Sequence, residues 1–196
     1  YAISDIKAIE DLVLLLKDRV GSSVSYANLA GDLQRDASTV KRWLTMLENL
    51  YIIFRVTPYH KKISRSLLKE PKFYFYDHAY AEKNPGAHLE NIVACALLKE
   101  LDFITDTTGV GTKLHYLRTK DGKEIDFLIC QDDAPSHMIE IKSSDIIPSA
   151  AFDHFTKFLP QTKKLQLVKS AKRTQSYPSG VQVHPLIDWL QHVDIL

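Results

Sequence analysis

The stretch Lys120-Asp121-Gly122-Lys123 constrains this chain more than any other. Asp-Gly between two apolar, alternating runs is the sequence form of a tight β-hairpin, so residues 114–118 and 124–130 are expected as antiparallel neighbours. Strict alternation in the second run puts Ile125, Phe127 and Ile129 on one face, and Glu124, Asp126 and Leu128 on the other. An acid inside so apolar a strand is costly unless something neutralises or hydrogen-bonds it. A turn at 132–136 leads into a third run, 138–143, where Glu140 and Lys142 share a face opposite Ile139 and Ile141. If the third run lies beside the second, Asp126 comes near Glu140. Two carboxylates in a partly dry site repel, so one takes up a proton or a cation binds between them. All-oxygen ligands favour Mg²⁺ or Mn²⁺, and the backbone carbonyl of Ile141 could add a ligand.

Upstream, residues 87–101 read as a helix in which Glu90 has Val93, Ala94 and Leu97 at i+3, i+4 and i+7, which aims it toward the core. The bland alternative is a first-turn carboxylate answering free N–H groups. Downstream, a helix over about 149–159, strands at 165–168 and 181–184 and a closing helix around 186–192 complete the second half. The order is that of an α/β (α+β) mixed sheet flanked by helices.

The first half is helical. An amphipathic stripe of Ile6, Ile9, Val13, Leu16 and Val20 runs to a stop at Gly21; a short helix begins near Ser25; and a third ends about Asn49 with Val40, Leu44 and Leu47 inward and Trp43 at the edge. Two β runs follow, 51–56 and 72–77. This order matches a winged helix-turn-helix, in which Ser38, Thr39, Lys41, Arg42 and Thr45 would face a DNA groove. Between residues 55 and 72 six basic residues, Lys61, Lys62 and Arg65 among them, stand against Glu70 alone, a patch suited to phosphate backbones or simply a solvated loop. Asn84-Pro85-Gly86 marks a boundary near residue 81, giving expected units 1–80 and 81–196.

Across 196 residues, 45% hydrophobic and 25% charged with net charge +1, the composition is that of an ordinary globular protein with no overall charge to dictate a partner. No apolar run approaches the roughly 20 residues a bilayer requires, so no membrane association is expected. Cys95 and Cys130 lack metal-ligand spacing, which suits a reduced cytoplasmic setting. A start at Tyr1 without a basic-then-apolar leader reads as an interior piece of a longer polypeptide.

Helical Glu90, strand Asp126, then Glu140-x-Lys142 resembles the motif order of the PD-(D/E)XK nuclease superfamily, the restriction-endonuclease-like fold. The whole chain also resembles the uncharacterised C-terminal domain that follows the ATPase module of many prokaryotic AAA-type ATPases. The matching stretches include Ser25-Tyr26-Ala27-Asn28-Leu29-Ala30, Thr39-Val40-Lys41-Arg42-Trp43-Leu44, Pro71 to Asp77, Gly86-Ala87-His88-Leu89-Glu90-Asn91, Tyr116 to Phe127 and Ile139-Glu140-Ile141-Lys142-Ser143-Ser144. One departure is that Asp77-His78-Ala79-Tyr80 lacks a glycine two residues after the aspartate.

The resemblance implies a winged helix joined to a nuclease-like fold, partnered by the ATPase module of its own polypeptide. No Gly-x4-Gly-Lys-Ser/Thr phosphate loop occurs in the chain. As a nuclease, Glu90, Asp126 and Glu140 would hold the metal. Lys142 would orient the attacking water or offset charge developing on the phosphate, and Arg118 would clamp a phosphate. Nucleic acid, DNA first, is then the partner. The other readings are a non-catalytic DNA- or protein-binding module, or an assembly platform that meets no nucleic acid.

Overall fold

Three capped helices open the chain. In the computed structural model, which describes residues 5–60, 70–81, 83–193 and 195, α1 spans Ile6–Lys17, with the Asp5 carboxylate accepting from the Ala8 N–H at 3.2 Å and Leu12 and Leu16 buried. Ser25 caps α2 (Tyr26–Leu33), as its position before the apolar stripe implied. The Asp36 carboxylate caps α3 (Ala37–Asn49) by accepting from the Thr39 N–H at 2.8 Å and from the Ser38 and Thr39 hydroxyls. Those three bonds hold its pKa far below the ordinary value. Trp43, expected at the edge of the buried face, lies inside it with Val40, Leu44 and Leu47.

β1 (Ile53–Pro58) and β2 (Lys72–Phe75) pair antiparallel, and every residue of β2 is buried. These strands do not stand apart from the second half. β1 runs parallel to β3 (Thr112–Arg118) through Thr57↔His115 and Pro58↔Tyr116, so the described residues form one eight-stranded sheet, in the order β2, β1, β3, β4 (Glu124–Gln131), β5 (Ala134–Lys142), β6 (Lys163–Val168), β8 (Val181–Pro185) and β7 (Gln175–Ser176). A continuous apolar cluster runs from Ala8, Leu12 and Leu16 through Phe73 and Phe75 to Val93, Leu97, Phe127 and Trp189.

α4 (Pro85–Thr108) is longer at both ends than the apolar spacing suggested. Asn84 accepts from the Gly86 and Ala87 N–H groups, Pro85 sits where its missing N–H costs nothing, and Gly109 at φ 75° closes the far end. Asn91, fully buried, donates to the Phe75 carbonyl (2.8 Å) and accepts from the Phe75 N–H (2.9 Å), pinning α4 against β2.

β4 (Glu124–Gln131) follows the expected hairpin after β3. β5 (Ala134–Lys142) begins four residues earlier than expected, because the turn is only Asp132-Asp133, both with positive φ (47° and 63°). That is the backbone shape of a two-residue hairpin, which aspartate tolerates. α5 (Ala151–Thr156) crosses to β6 (Lys163–Val168); β6 lies parallel to β5 and to β8 (Val181–Pro185); the short edge strand β7 is Gln175–Ser176, and α6 (Leu186–Gln191) closes the chain. Among the described residues no helix is long and apolar enough to cross a membrane.

Candidate metal and nucleic-acid site

The placement of Asp126 begins with an irregularity in the sheet. Thr112 to His115 pair with Gln131 to Leu128 in one register, while Leu117 and Arg118 pair with Ile125 and Glu124 in a register shifted by one. β4 therefore sets two residues, Asp126 and Phe127, against Tyr116 alone, a β-bulge. Strict alternation fails here. Phe127 and Ile129 pack in the core with α4, whereas Ile125 packs on the opposite side with Leu117, Leu128 and Cys130.

The β4–β5 ladder runs to Phe127↔Ile139, so Asp126 and Glu140 are the next positions to meet. Side chains continue the ladder there. Asp126 Oδ2 accepts from the Ile141 N–H at 2.8 Å. Lys142 Nζ lies 2.6 Å from Glu140 Oε1, and Glu140 Oε2 is buried with no hydrogen-bond partner among the described residues. Burial first, then the charges of Glu90 and Glu140, push the Asp126 carboxyl well above its ordinary pKa. Glu140 is raised by burial against the opposing pull of Lys142. Burial depresses Lys142, but the hydrogen bond and charge of Glu140 outweigh it and leave the ammonium favoured.

Glu90 faces inward, as its helical neighbours implied, yet its partner is one that sequence reasoning missed. Glu90 Oε1 accepts from Tyr74 OH at 2.6 Å and from Lys72 Nζ at 3.0 Å. Lys72 Nζ also reaches Glu124 Oε1 at 2.5 Å and sits 5.2 Å from the centre of the Tyr116 ring. Lys72 is only 1% exposed. Burial would strip its proton, but Glu90, Asp126 and Glu124 outweigh that and raise its pKa. No sequence signal singles this lysine out, since it stands at the end of a run of basic residues and its acidic partners come from distant elements. The other Glu90 oxygen is pressed against the connection after α1, where a Cβ on Gly21 (φ 74°) would fall 2.7 Å from Oε2.

Arg118 donates to Ser23 Oγ at 2.9 Å and lies 3.6 Å from Glu124 Oε2, at the rim of the same cluster. The result is four acids, Glu90, Glu124, Asp126 and Glu140, interleaved with Lys72, Lys142 and Arg118. Asp126 and Glu140 fit a hard divalent cation, since both offer oxygen and Glu140 Oε2 is orphaned. Glu90 is already answered by Lys72 and Tyr74. Among the described residues no group of three or more His, Cys, Asp or Glu is poised to hold a metal.

On α3, Lys41, Arg42 and Thr45 are exposed, while Ser38 and Thr39 serve the Asp36 cap. Lys61, Lys62 and Arg65 lie outside the described residues. Two other members of that basic stretch are not free surface charges, since Lys72 is buried in the acidic cluster and Arg55 pairs with Glu48 at 3.0 Å.

Residues 1–84 match one domain of unknown function, DUF8612, and residues 85–189 match another, DUF4143. An uncharacterized protein of Haemophilus influenzae is 24% identical over 202 aligned positions, which cover 96% of this chain and 47% of that protein. The chain thus spans about half the length of the curated relative it matches. No solved structure matches. The segment that carries Glu90, Asp126, Glu140 and Lys142 fills more than half of the chain, and by that match the chain belongs to the DUF4143 family.

Proposed function

We propose that this chain is a nucleic-acid-acting module with a nuclease-like site, cleaving phosphodiesters with Mg²⁺ or Mn²⁺ at Asp126 and Glu140, and that it works attached to an AAA-type ATPase module. One observation carries the reading: Asp126 and Glu140 meet at the end of a ladder with Lys142 on one Glu140 oxygen and, among the described residues, no hydrogen-bond partner on the other. A bound divalent ion supplies Lewis-acid polarisation of a phosphate oxygen and a more acidic water. The residues themselves do the rest. Lys142 favours the ionised form of Glu140 against the effect of burial and would present an ammonium beside the phosphate. The bulge turns Asp126 toward Glu140, and the Ile141 N–H orients the Asp126 carboxylate. Arg118 is a second cation at the rim.

Residues 1–80, the winged-helix-like unit, would hold DNA through Lys41, Arg42 and Thr45 of α3. They also lend Lys72, Tyr74 and Gly21 to the acidic cluster. The ATPase module is proposed from the resemblance of the chain alone; the chain covers 47% of its Haemophilus influenzae relative.

A non-catalytic binding module is favoured by one specific observation. Lys72 already neutralises Glu90 and Glu124, so the cluster holds together with its own cation. Nicking of supercoiled plasmid in Mn²⁺ separates the two readings. The parent should nick and Asp126→Asn should not; a parent that cuts neither DNA nor RNA with metal present sinks the catalytic reading.

A further inference from the structure

Beyond Lys142 the chain enters a segment, residues 143–150, without regular structure. The carbonyls leading into and through its first half are nonetheless held. Lys142 O accepts from Lys169 N (3.0 Å), Ser143 O from Ser170 N (3.1 Å) and Ser144 O from Ser170 Oγ (3.5 Å). Asp145 O and Ile147 O accept from Gln166 Nε2 at 3.0 and 2.9 Å, and Ile146 O from Tyr177 OH at 2.9 Å. Gln166 is fully buried on β6, and its Oε1 also takes the Ser149 N–H at 2.9 Å. The Asp145 carboxylate closes the turn by accepting from Ile147 N at 2.9 Å. Six consecutive carbonyls bonded to other elements make a stiff mount, not a slack loop.

What this mount displays is apolar. Ile146 is 39% exposed and Ile147 69%, and neither packs in a hydrophobic cluster. Two neighbouring isoleucines held rigidly in water gain nothing for the fold, since their burial would be worth about 1.5–3 kcal/mol each. They follow Lys142 by four and five residues on the same held segment, whose first anchored carbonyl is that of Lys142.

Charge identifies the partner. Residues 154–187 contain Lys157, Lys163, Lys164, Lys169, Lys172 and Arg173 and not one Asp or Glu. Lys169, Lys172 and Arg173 are exposed, on the segment whose Lys169 and Ser170 anchor the mount. The cationic segment joins the apolar tip at its base, through Lys169 and Ser170, and that combination is what duplex nucleic acid requires of a wedge: cations for phosphates, a branched aliphatic side chain to enter a base step.

We propose that Ile146 and Ile147 form a wedge that enters a base step of duplex nucleic acid bound across Lys169, Lys172 and Arg173, unstacking it beside Lys142. The proposal rests on the nucleic-acid reading of the site and adds to it where the strand is opened.

The test uses the whole chain in EDTA, where no metal-dependent cleavage intervenes, with DNA duplexes carrying 2-aminopurine at successive steps, followed by anisotropy and by fluorescence. The parent should bind and brighten 2-aminopurine at one step or two adjacent steps. Ile146→Ser with Ile147→Ser should abolish the brightening while keeping the salt dependence of binding. Lys169→Ala, Lys172→Ala and Arg173→Ala together should flatten the log K against log salt slope by about 0.9 for each phosphate no longer neutralised. These side chains are exposed, so unchanged melting temperatures confirm that the variants fold.

Brightening that persists in the isoleucine variant, or a slope unmoved in the cation variant, overturns the wedge. If that variant series fails while the parent still nicks plasmid in Mn²⁺, the wedge alone falls. A parent that binds no duplex at low salt removes both the wedge and the nucleic-acid reading beneath it.

Discussion

Replacing Lys72 by methionine tests the acidic cluster most severely. The substitution keeps the length of the side chain and removes an ammonium that is 1% exposed and lies 3.0 Å from Glu90 and 2.5 Å from Glu124. Asp126 feels the same charge. Removing one member of a buried ion pair leaves its partner uncompensated, at a cost of about 3–5 kcal/mol. Two partners are left here, although Glu90 keeps the Tyr74 hydroxyl at 2.6 Å and Glu124, a quarter exposed, keeps Arg118 at 3.6 Å. Those interactions place the expected loss at about 4 kcal/mol, the middle of that range. For a chain of this size that corresponds to roughly 10 °C in melting temperature. Urea unfolding at neutral pH measures it, and Lys72→Met with Glu90→Gln should recover part of the loss, since one orphaned charge is gone. A loss below about 0.5 kcal/mol is what a surface lysine gives, and it would refute the buried position.

Asn91→Leu should cost about 1–3 kcal/mol in the same assay, because it strands the buried Phe75 N–H and leaves the Phe75 carbonyl only the weaker Cys95 thiol donor at 3.2 Å. Gly21→Ala should destabilise by more than about 1 kcal/mol, since the new Cβ meets positive φ and a Glu90 oxygen at 2.7 Å; the melting temperature reports it. Asp126 has a folded pKa above its unfolded value, so the folded state binds the extra proton and stability falls as pH rises from about 4 through the folded pKa. Asp126→Asn removes that titration, so urea midpoints of parent and variant should diverge in favour of the variant as pH is raised, and parallel curves would contradict this.

The local chemistry of the fold was legible in the sequence. Ser25, the Asp-Gly hairpin and Gly21 each act on their own neighbours, and each appears where its side chain or φ requires. Asp126 near Glu140 was also legible, because the turn after β4 returns the chain beside it, although the alternation that assigned Asp126 its face fails at the bulge. What sequence could not supply were the long-range events. The parallel pairing of β1 with β3 joins residues 58 positions apart, and neither strand pattern names its partner. The bulge at Asp126-Phe127 is a mismatch between two strands and not a property of either. Lys72 reads in sequence as one more surface cation, and only the convergence of Glu90 and Glu124 on it shows otherwise. The acid-free segment 154–187 was visible in the sequence, but its meaning depends on Ser170 and Gln166 holding the loop after Lys142.

Calorimetric titration of the intact chain with Mn²⁺, repeated on Asp126→Asn and Glu140→Gln, tests the central claim most directly. One site of modest affinity is expected in the parent, with heat lost in both variants and retained in Arg42→Ala, which lies on α3 away from the cluster. Absence of binding in the parent, or binding unchanged in either carboxylate variant, would contradict the assignment of Asp126 and Glu140 as a divalent-cation site.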